Sequence, residues 1–292
     1  MSLPIVFIHK SNSDYLKVSL SQAKKSNPDS QIYLLGDSNN NCYPIIRHHN
    51  MKDYFESADA FSKNYKHLNS NPYDYELFCF QRWFVLKEFL VSNQIRRCFY
   101  IDSDVMLYAN VSSEAEKLKE FDMTLSWPYL HDSPSPHCLF INNSDSLFEF
   151  CDFLDEIYRN NTLLKVMNDQ FERCRGNGGA CDMTAFREYS KRARFTIGNT
   201  ALSEDYLFDH NINESDGFET NKEIKKIFWV GHVPFCKEVI SGRQVRVNLL
   251  HFQGSAKRFM KEHGSDKLAR SVYFISNAIS KLVKIGIKSL FK

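Results

Sequence analysis

Apolar and polar residues along this chain fall into short blocks that predict a strand, a helix and another strand from the N-terminus onward. Pro4-Ile5-Val6-Phe7-Ile8-His9 is a brief apolar run between polar residues, the pattern of a buried first strand. A helix is predicted over 15–25, a turn at Asn27-Pro28-Asp29, and a second strand over 31–37 that ends in Gly-Asp. Residues 45–48 predict a short third strand, whereas 51–74 show no clear period. Residues 76–91 predict a helix with Phe78, Cys79, Val85, Leu86 and Phe89 on one apolar stripe. Beyond it, a strand leads into Asp102, a charged helix covers 114–121, and strands are predicted over 123–127 and 137–143. Amphipathic helix 147–158, a glycine turn at 176–179, a helix from 182 through 189 and a strand at 245–252 complete the series. This rhythm predicts an α/β fold, a mixed but mainly parallel sheet flanked by helices. Ligands of such sheets lie beyond the carboxyl ends of the strands.

The candidate chemistry collects at those ends. Cys98-Phe99-Tyr100-Ile101-Asp102-Ser103-Asp104 is an apolar run that reaches two carboxylates at i and i+2. In an extended strand both share a face and can turn toward one hard cation. A surface turn with two solvated aspartates is the plain alternative, and Asp-x-Asp without other parts favours it. His9, Ser11, Asn12 and Asp37 follow the first two strands, and each is also an ordinary loop residue. Arg82 lies in the middle of an apolar stripe. A guanidinium there needs an anionic or carbonyl partner, so it either makes a structural salt bridge or points at Asp102, Asp104 or a ligand phosphate. Asp182 follows the glycine turn and is read as a helix cap or as an active-site carboxylate. His251, Gly254 and Lys257 form a compact set at the last predicted strand end. The imidazole suits a metal, the glycine a close backbone approach, and the ammonium a phosphate.

Composition changes this picture little. The chain has 292 residues, 43% hydrophobic and 25% charged, with a net charge of +2, so no overall field argues for nucleic acid. None of its 8 cysteines are spaced Cys-x-x-Cys, which leaves a zinc ribbon or thioredoxin-type motif unsupported. With no signal peptide and no apolar stretch of transmembrane length in this sequence, the expected compartment is the reducing cytoplasm. Residues 266–292 differ in kind from the preceding 1–265, which are expected to form one domain. Lys281, Lys284, Lys288 and Lys292 share one helical face opposite Val272, Ile275, Ile279, Leu282, Val283, Ile287 and Leu290. This C-terminal amphipathic helix reads as a peripheral anchor on the anionic inner face of a membrane, or else as a helix packed on the domain with a solvated lysine face.

Taken together, these pieces resemble a nucleotide-sugar glycosyltransferase of the Rossmann-like GT-A fold, in particular glycosyltransferase family 8, which includes glycogenin and bacterial lipooligosaccharide galactosyltransferases. The resemblance spans roughly 5–257 in the order of that family's parts. Arg82-Trp83-Phe84-Val85-Leu86-Lys87-Glu88-Phe89 resembles the helix whose arginine reaches the donor sugar. Asp102-Ser103-Asp104 matches the metal-binding Asp-x-Asp. His251-Phe252-Gln253-Gly254-Ser255-Ala256-Lys257 matches His-x-x-Gly-x-x-Lys, whose histidine is the third metal ligand and whose lysine meets the diphosphate. The same analogy places His9, Ser11, Asp37 and Ser103 beside the nucleotide. Two motifs depart from the family. Asn142-Asn143-Ser144 stands where Asn-x-Gly is usual. Asp182-Met183-Thr184 stands for Asp-Gln-Asp, and Met183 cannot take the part of the glutamine beneath the anomeric carbon.

The resemblance implies a hexosyltransferase that moves sugar from a nucleotide-diphosphate sugar, a UDP-sugar, to a glycan or lipid-linked acceptor hydroxyl. Mn²⁺ or Mg²⁺ would sit on Asp102, Asp104 and His251, and the acceptor would enter near Asn142 and Asp182. Asp182 acting as general base would give inversion; under retention it would orient the acceptor. A metal-dependent nucleotidyl- or phosphotransferase using the same aspartates is the alternative.

Overall fold

The computed structural model describes residues 2–128, 131–202, 205–221 and 223–264. The predicted C-terminal helix and the anchor over 266–292 lie outside the described residues. Between them, the described residues form two compact units whose segments interleave along the chain. Of the described residues, the first takes those within 2–12, 27–103 and 110–202, and the second takes those within 13–26, 104–109 and 205–264. Among the described residues no helix is long and apolar enough to cross a membrane.

The first unit is built on a seven-stranded sheet. Its strands, in spatial order, are Arg47–Asn50, Ile32–Gly36, Ile5–Ile8, Cys98–Ile101, Cys138–Ile141, Met123–Leu125 and Ile197–Asn199. Pairing is parallel except on the two sides of Cys138–Ile141, which runs antiparallel to Cys98–Ile101 and to Met123–Leu125. The expected mixed, mainly parallel α/β sheet is therefore present. Ile5–Ile8 and Cys98–Ile101 are buried at every position, as strands covered by helices on both faces must be. Strand order reverses between these two, and a crevice at their carboxyl ends is the expected ligand site of such a sheet.

Helix Tyr73–Ser92 is central to this unit and is longer than the sequence pattern predicts. Its buried residues include Leu77, Phe80, Trp83, Phe84, Val85, Leu86, Phe89 and Leu90, which occupy more than one face. Phe78 and Cys79, expected on a single apolar stripe, are only half-buried. Helix Glu56–Ser62, from the stretch without clear period, supplies Phe61, which stacks on Phe84 at 4.9 Å. On another side Phe150 of helix Ser144–Ile157 stacks on Phe186 of helix Asp182–Ser190 at 3.7 Å. The glycine turn is tied down rather than loose. Ala180 N–H donates to the Leu68 carbonyl at 2.8 Å, and a Cβ on Gly179 would meet that carbonyl oxygen at 2.3 Å. Only glycine permits this approach, at a φ of +159°.

The second unit has its own sheet. Strands Phe228–Val230, Val233–Lys237, Gln244–His251 and Val105–Leu107 lie side by side, with Tyr206–Phe208 also paired to Gln244–His251. Gln244–His251 is antiparallel to Val105–Leu107. Helix Asp14–Ser26 lies against Val105–Leu107 and buries Leu16, Leu20 and Ala23, and Ser19 donates to the Val105 carbonyl at 2.6 Å. All eight cysteines are free thiols.

Candidate active site

Arg82 organises the candidate residues of the first unit. It projects from helix Tyr73–Ser92 and splits its guanidinium between two carboxylates. Nη1 donates to Asp102 Oδ1 and Nη2 to Asp182 Oδ2, each at 2.7 Å. Nε donates to the Cys79 carbonyl at 3.2 Å, and the group lies 4.6 Å over the Trp83 ring. The salt bridge and the pointing at Asp102 that the sequence left as alternatives are one contact. Burial works against the Arg82 cation, but Asp102, Tyr100 and Asp182 more than offset it and hold it well above its usual range.

Two aromatic donors complete this network. Tyr100 hydroxyl donates to Asp102 Oδ1 at 2.6 Å, and Trp83 Nε1 donates to Asp182 Oδ2 at 3.1 Å. Neither was singled out from the sequence. The signal available was the position of Tyr100 two residues before Asp102, on the same face of the strand. Asp182 is the first residue of its helix, not the cap. Cys181 holds the cap position, its N–H donating to Thr184 Oγ1 at 3.4 Å, and the Asp182 carboxylate turns to Arg82 and Trp83 instead.

The first strand end lies alongside. Ser103 Oγ is 2.8 Å from His9 Nδ1, which joins the carboxyl ends of Ile5–Ile8 and Cys98–Ile101 at the reversal of strand order. Asp37 accepts from the backbone N–H of Ser11 at 2.6 Å and of Asn39 at 2.8 Å. Burial raises its pKa, but these bonds and the nearby His9 outweigh it and leave the carboxyl below its ordinary value. Ser11 takes a positive φ of 65° in this turn.

Asn142 is not brought to these residues. The strand before it is antiparallel to Cys98–Ile101, so Ile141 pairs with Cys98 and Cys138 with Ile101. Asn142 therefore lies at the end of the sheet away from Asp102. Its amide is used there, donating to the carbonyls of Leu118 at 2.9 Å and Phe121 at 3.0 Å. This corrects the expectation that Asn142 stands beside Asp182. His137 occupies the end that faces Asp102, its carbonyl accepting from Asp102 N–H at 2.8 Å.

Glu76, one turn into the same long helix, was not singled out from the sequence. It is almost fully buried, Asn71 Nδ2 donates to its Oε2 at 3.0 Å, and Oε1 has no partner. Burial pushes its pKa up to about 7; the Asn71 bond opposes this, the Asp182 charge adds to it, and Arg82 opposes it. From the ordinary value of 4.5 to about 7, the folded protein keeps a proton that the unfolded chain has released. Stability is thus fully present below that window and falls as pH rises through it, by up to about 3 kcal/mol. Glu76→Gln is expected to match the wild type at pH 4.5 and exceed it at pH 8. Urea denaturation across this range tests it; a stability difference that does not grow with pH would contradict a buried, half-satisfied carboxyl.

The second unit presents Asp104, His251 and Lys257. Pairing of Gln244–His251 with Val105–Leu107 sets His251 opposite Val105, and Phe252 N–H donates to the Asp104 carbonyl at 2.9 Å. That register brings His251 Nε2 to 3.6 Å from Asp104 Oδ1, while Lys257 Nζ lies 3.1 Å from Asp104 Oδ2. Burial raises the Asp104 pKa, but His251 and Lys257 overcome it and hold the carboxyl well below the usual carboxylate range. Gly254 turns the chain between His251 and Lys257 at a φ of +57°, in open space. His251 Nδ1 donates to the His210 carbonyl at 2.6 Å, which turns Nε2 to Asp104. A carboxylate oxygen and an imidazole nitrogen at this spacing suit two ligands of one divalent ion.

No family model matches the chain, and no curated protein matches its sequence. Among solved structures, the fold recurs in glycosyltransferases. Mouse xyloside xylosyltransferase 1, in its apo form, superposes with a TM-score of 0.52 at 8% identity, over 73% of this chain and 87% of that one. An active-site mutant of LgtC is similar with a TM-score of 0.47 at 13% identity, over 90% of this chain and 96% of that one. The first of these likenesses shows that the chain has the GT-A type of α/β fold that the sequence led us to expect.

Proposed function

We propose that this protein is a metal-dependent glycosyltransferase that moves a hexosyl unit from a nucleotide-diphosphate sugar, a UDP-sugar, to a hydroxyl of a glycan or glycolipid. The observation that carries the reading is the grouping of Asp104, His251 and Lys257 at one strand end, in a fold shared with a xylosyltransferase. Asp102 is separated from Asp104 by Ser103 only, so their Cα atoms lie within about 7 Å of each other. Asp102, Asp104 and His251 would hold Mn²⁺ or Mg²⁺. The ion, when bound, supplies Lewis-acid stabilisation of the diphosphate.

The remaining work falls to the chain itself. Lys257 offers an ammonium to the charge that develops on the departing diphosphate, the main electrostatic demand of glycosyl transfer. Tyr100 and Arg82 fix the Asp102 carboxylate from one side, so it is held for a ligand before one arrives. Asp182 receives both its bonds on Oδ2. A carboxylate anchored in this way orients an acceptor hydroxyl. His9, Ser11, Ser103 and Asp37, at the reversal of strand order, border the nucleotide.

The test is a thermal-shift panel of nucleotide sugars with and without Mn²⁺. A ligand bound to the native state at a hundred times its Kd stabilises by about 2.7 kcal/mol. At least one donor is expected to raise Tm, and to do so only with the metal. A flat response across the panel would sink the proposal. The products separate glycosyl from nucleotidyl transfer, since the first releases a nucleoside diphosphate and the second pyrophosphate.

A further inference from the structure

Lys225 is a buried cation that the proposed chemistry does not use. It lies on the short strand Ile224–Lys225 of the second unit, and its side chain, like that of Asp209, is wholly enclosed. Its ammonium donates to Asp209 Oδ1 at 2.7 Å, to the Asn211 carbonyl at 2.8 Å and to Asp216 Oδ2 at 2.6 Å, which uses all three donors. Burial disfavours the cation, but Asp209 and Asp216 prevail and hold its pKa above the ordinary value.

The other oxygen of Asp209 points to the strand that carries His251. Oδ2 accepts from His251 N–H at 3.2 Å. Around it the backbone is stitched in register: Asp209 N–H donates to the Leu249 carbonyl at 3.1 Å and Ile212 N–H to the His251 carbonyl at 2.9 Å. Held between these bonds is His210, whose carbonyl accepts from His251 Nδ1 at 2.6 Å. A carbonyl only accepts, so Nδ1 carries a proton, and Nε2 is the ring nitrogen that faces Asp104. A buried ionic cluster is a costly way to gain stability, and apolar side chains of the same volume do as well or better. Fixing one segment in one position is what such a cluster does that an apolar contact does not.

We propose that the Asp209–Lys225–Asp216 cluster is a positioning device for His251: it locks the 209–212 segment, and through the His210 carbonyl it sets the tautomer and aim of the imidazole. This deepens the metal-site reading and rests on it for the purpose of that aim, not for the geometry. Lys225→Met leaves Asp209 buried without its partner and is apt to unfold. The double variant Lys225→Met with Asp209→Asn removes the two wholly enclosed charges, leaves only the partly exposed Asp216, and keeps an acceptor for His251 N–H. Two measurements on the full chain decide the matter. Nitrogen-15 NMR reads the His251 tautomer without metal, and electron paramagnetic resonance of free Mn²⁺ reads affinity without donor. In the folded double variant, His251 is expected to lose its single Nδ1–H tautomer and Mn²⁺ to bind about tenfold more weakly or worse, the usual effect of losing a group that orients a metal-binding histidine. A folded variant with the wild-type tautomer and the wild-type Mn²⁺ affinity would overturn the inference. A wild-type protein that binds no Mn²⁺, with the tautomer shift present in the variant, would count against the metal site and uphold the positioning role.

Discussion

Arg82→Met is expected to lower Tm by roughly 10 °C. The side chain joins Asp102 and Asp182 at 2.7 Å each, with only 6% of the Asp182 side chain exposed. Removing one partner of a buried ion pair costs about 3–5 kcal/mol, because the other charge stays behind without compensation. Each kcal/mol is worth about 2–4 °C in a domain of 150–250 residues. Lost packing against Trp83 would add to the deficit, so a second substitution separates the causes. Asp182→Asn in the Arg82→Met background removes one stranded charge and retains an acceptor for Trp83 Nε1. It is expected to recover part of the lost stability by calorimetry. If the double variant is no more stable than Arg82→Met, the loss is one of packing and the electrostatic account fails.

Asp104→Asn is expected to cut sugar transfer on the order of a thousandfold, the scale seen when one preorganised electrostatic contact at developing charge is lost. The amide keeps the shape and can still accept from Lys257, but it is a far poorer ligand for a hard cation. The fold should survive, since Asp104 touches His251 and Lys257 through its side chain but holds the Gln244–His251 strand through its backbone carbonyl. Nucleoside diphosphate release, followed with and without EDTA, measures the effect. Unchanged turnover in this variant, in the presence of the chelator, would remove the metal from the reaction.

These two substitutions show how far the linear chain could be read. Arg82, Asp102 and Asp182 were all named as candidates from spacing and from the cost of burying charge. The Arg82–Asp102 contact was one of the alternatives read from the sequence; the second contact, with Asp182, was not legible, because it depends on two helices meeting across a long stretch of chain. His251 and Lys257 were found by a short local motif, and the pairing of their strand with Val105–Leu107 brings Asp104 to them. The stretch 51–74 gave no period because Glu56–Ser62 is a short helix with few apolar positions. The strands described between 197 and 237 all escaped, most of them having two or three residues each. The single stripe expected on Tyr73–Ser92 failed because neighbours cover that helix on several sides.

The sequence by itself determined the alternation of strands and helices, the α/β class, and the types of side chain gathered near the strand ends. These follow from local chemistry: apolar runs must be buried, and glycine, proline and short polar residues must turn. Only the tertiary structure decided which end of each strand faces the site. The run before Asn142 reads equally well in either direction, and its antiparallel register sends Asn142 away and brings His137 to Asp102. It also decided that Lys225, one lysine of many in the sequence, is enclosed among carboxylates behind His251. Strand direction and the partner of a buried charge are set by non-local pairing, whose free energy is spread over the whole sheet and leaves no mark at any single residue.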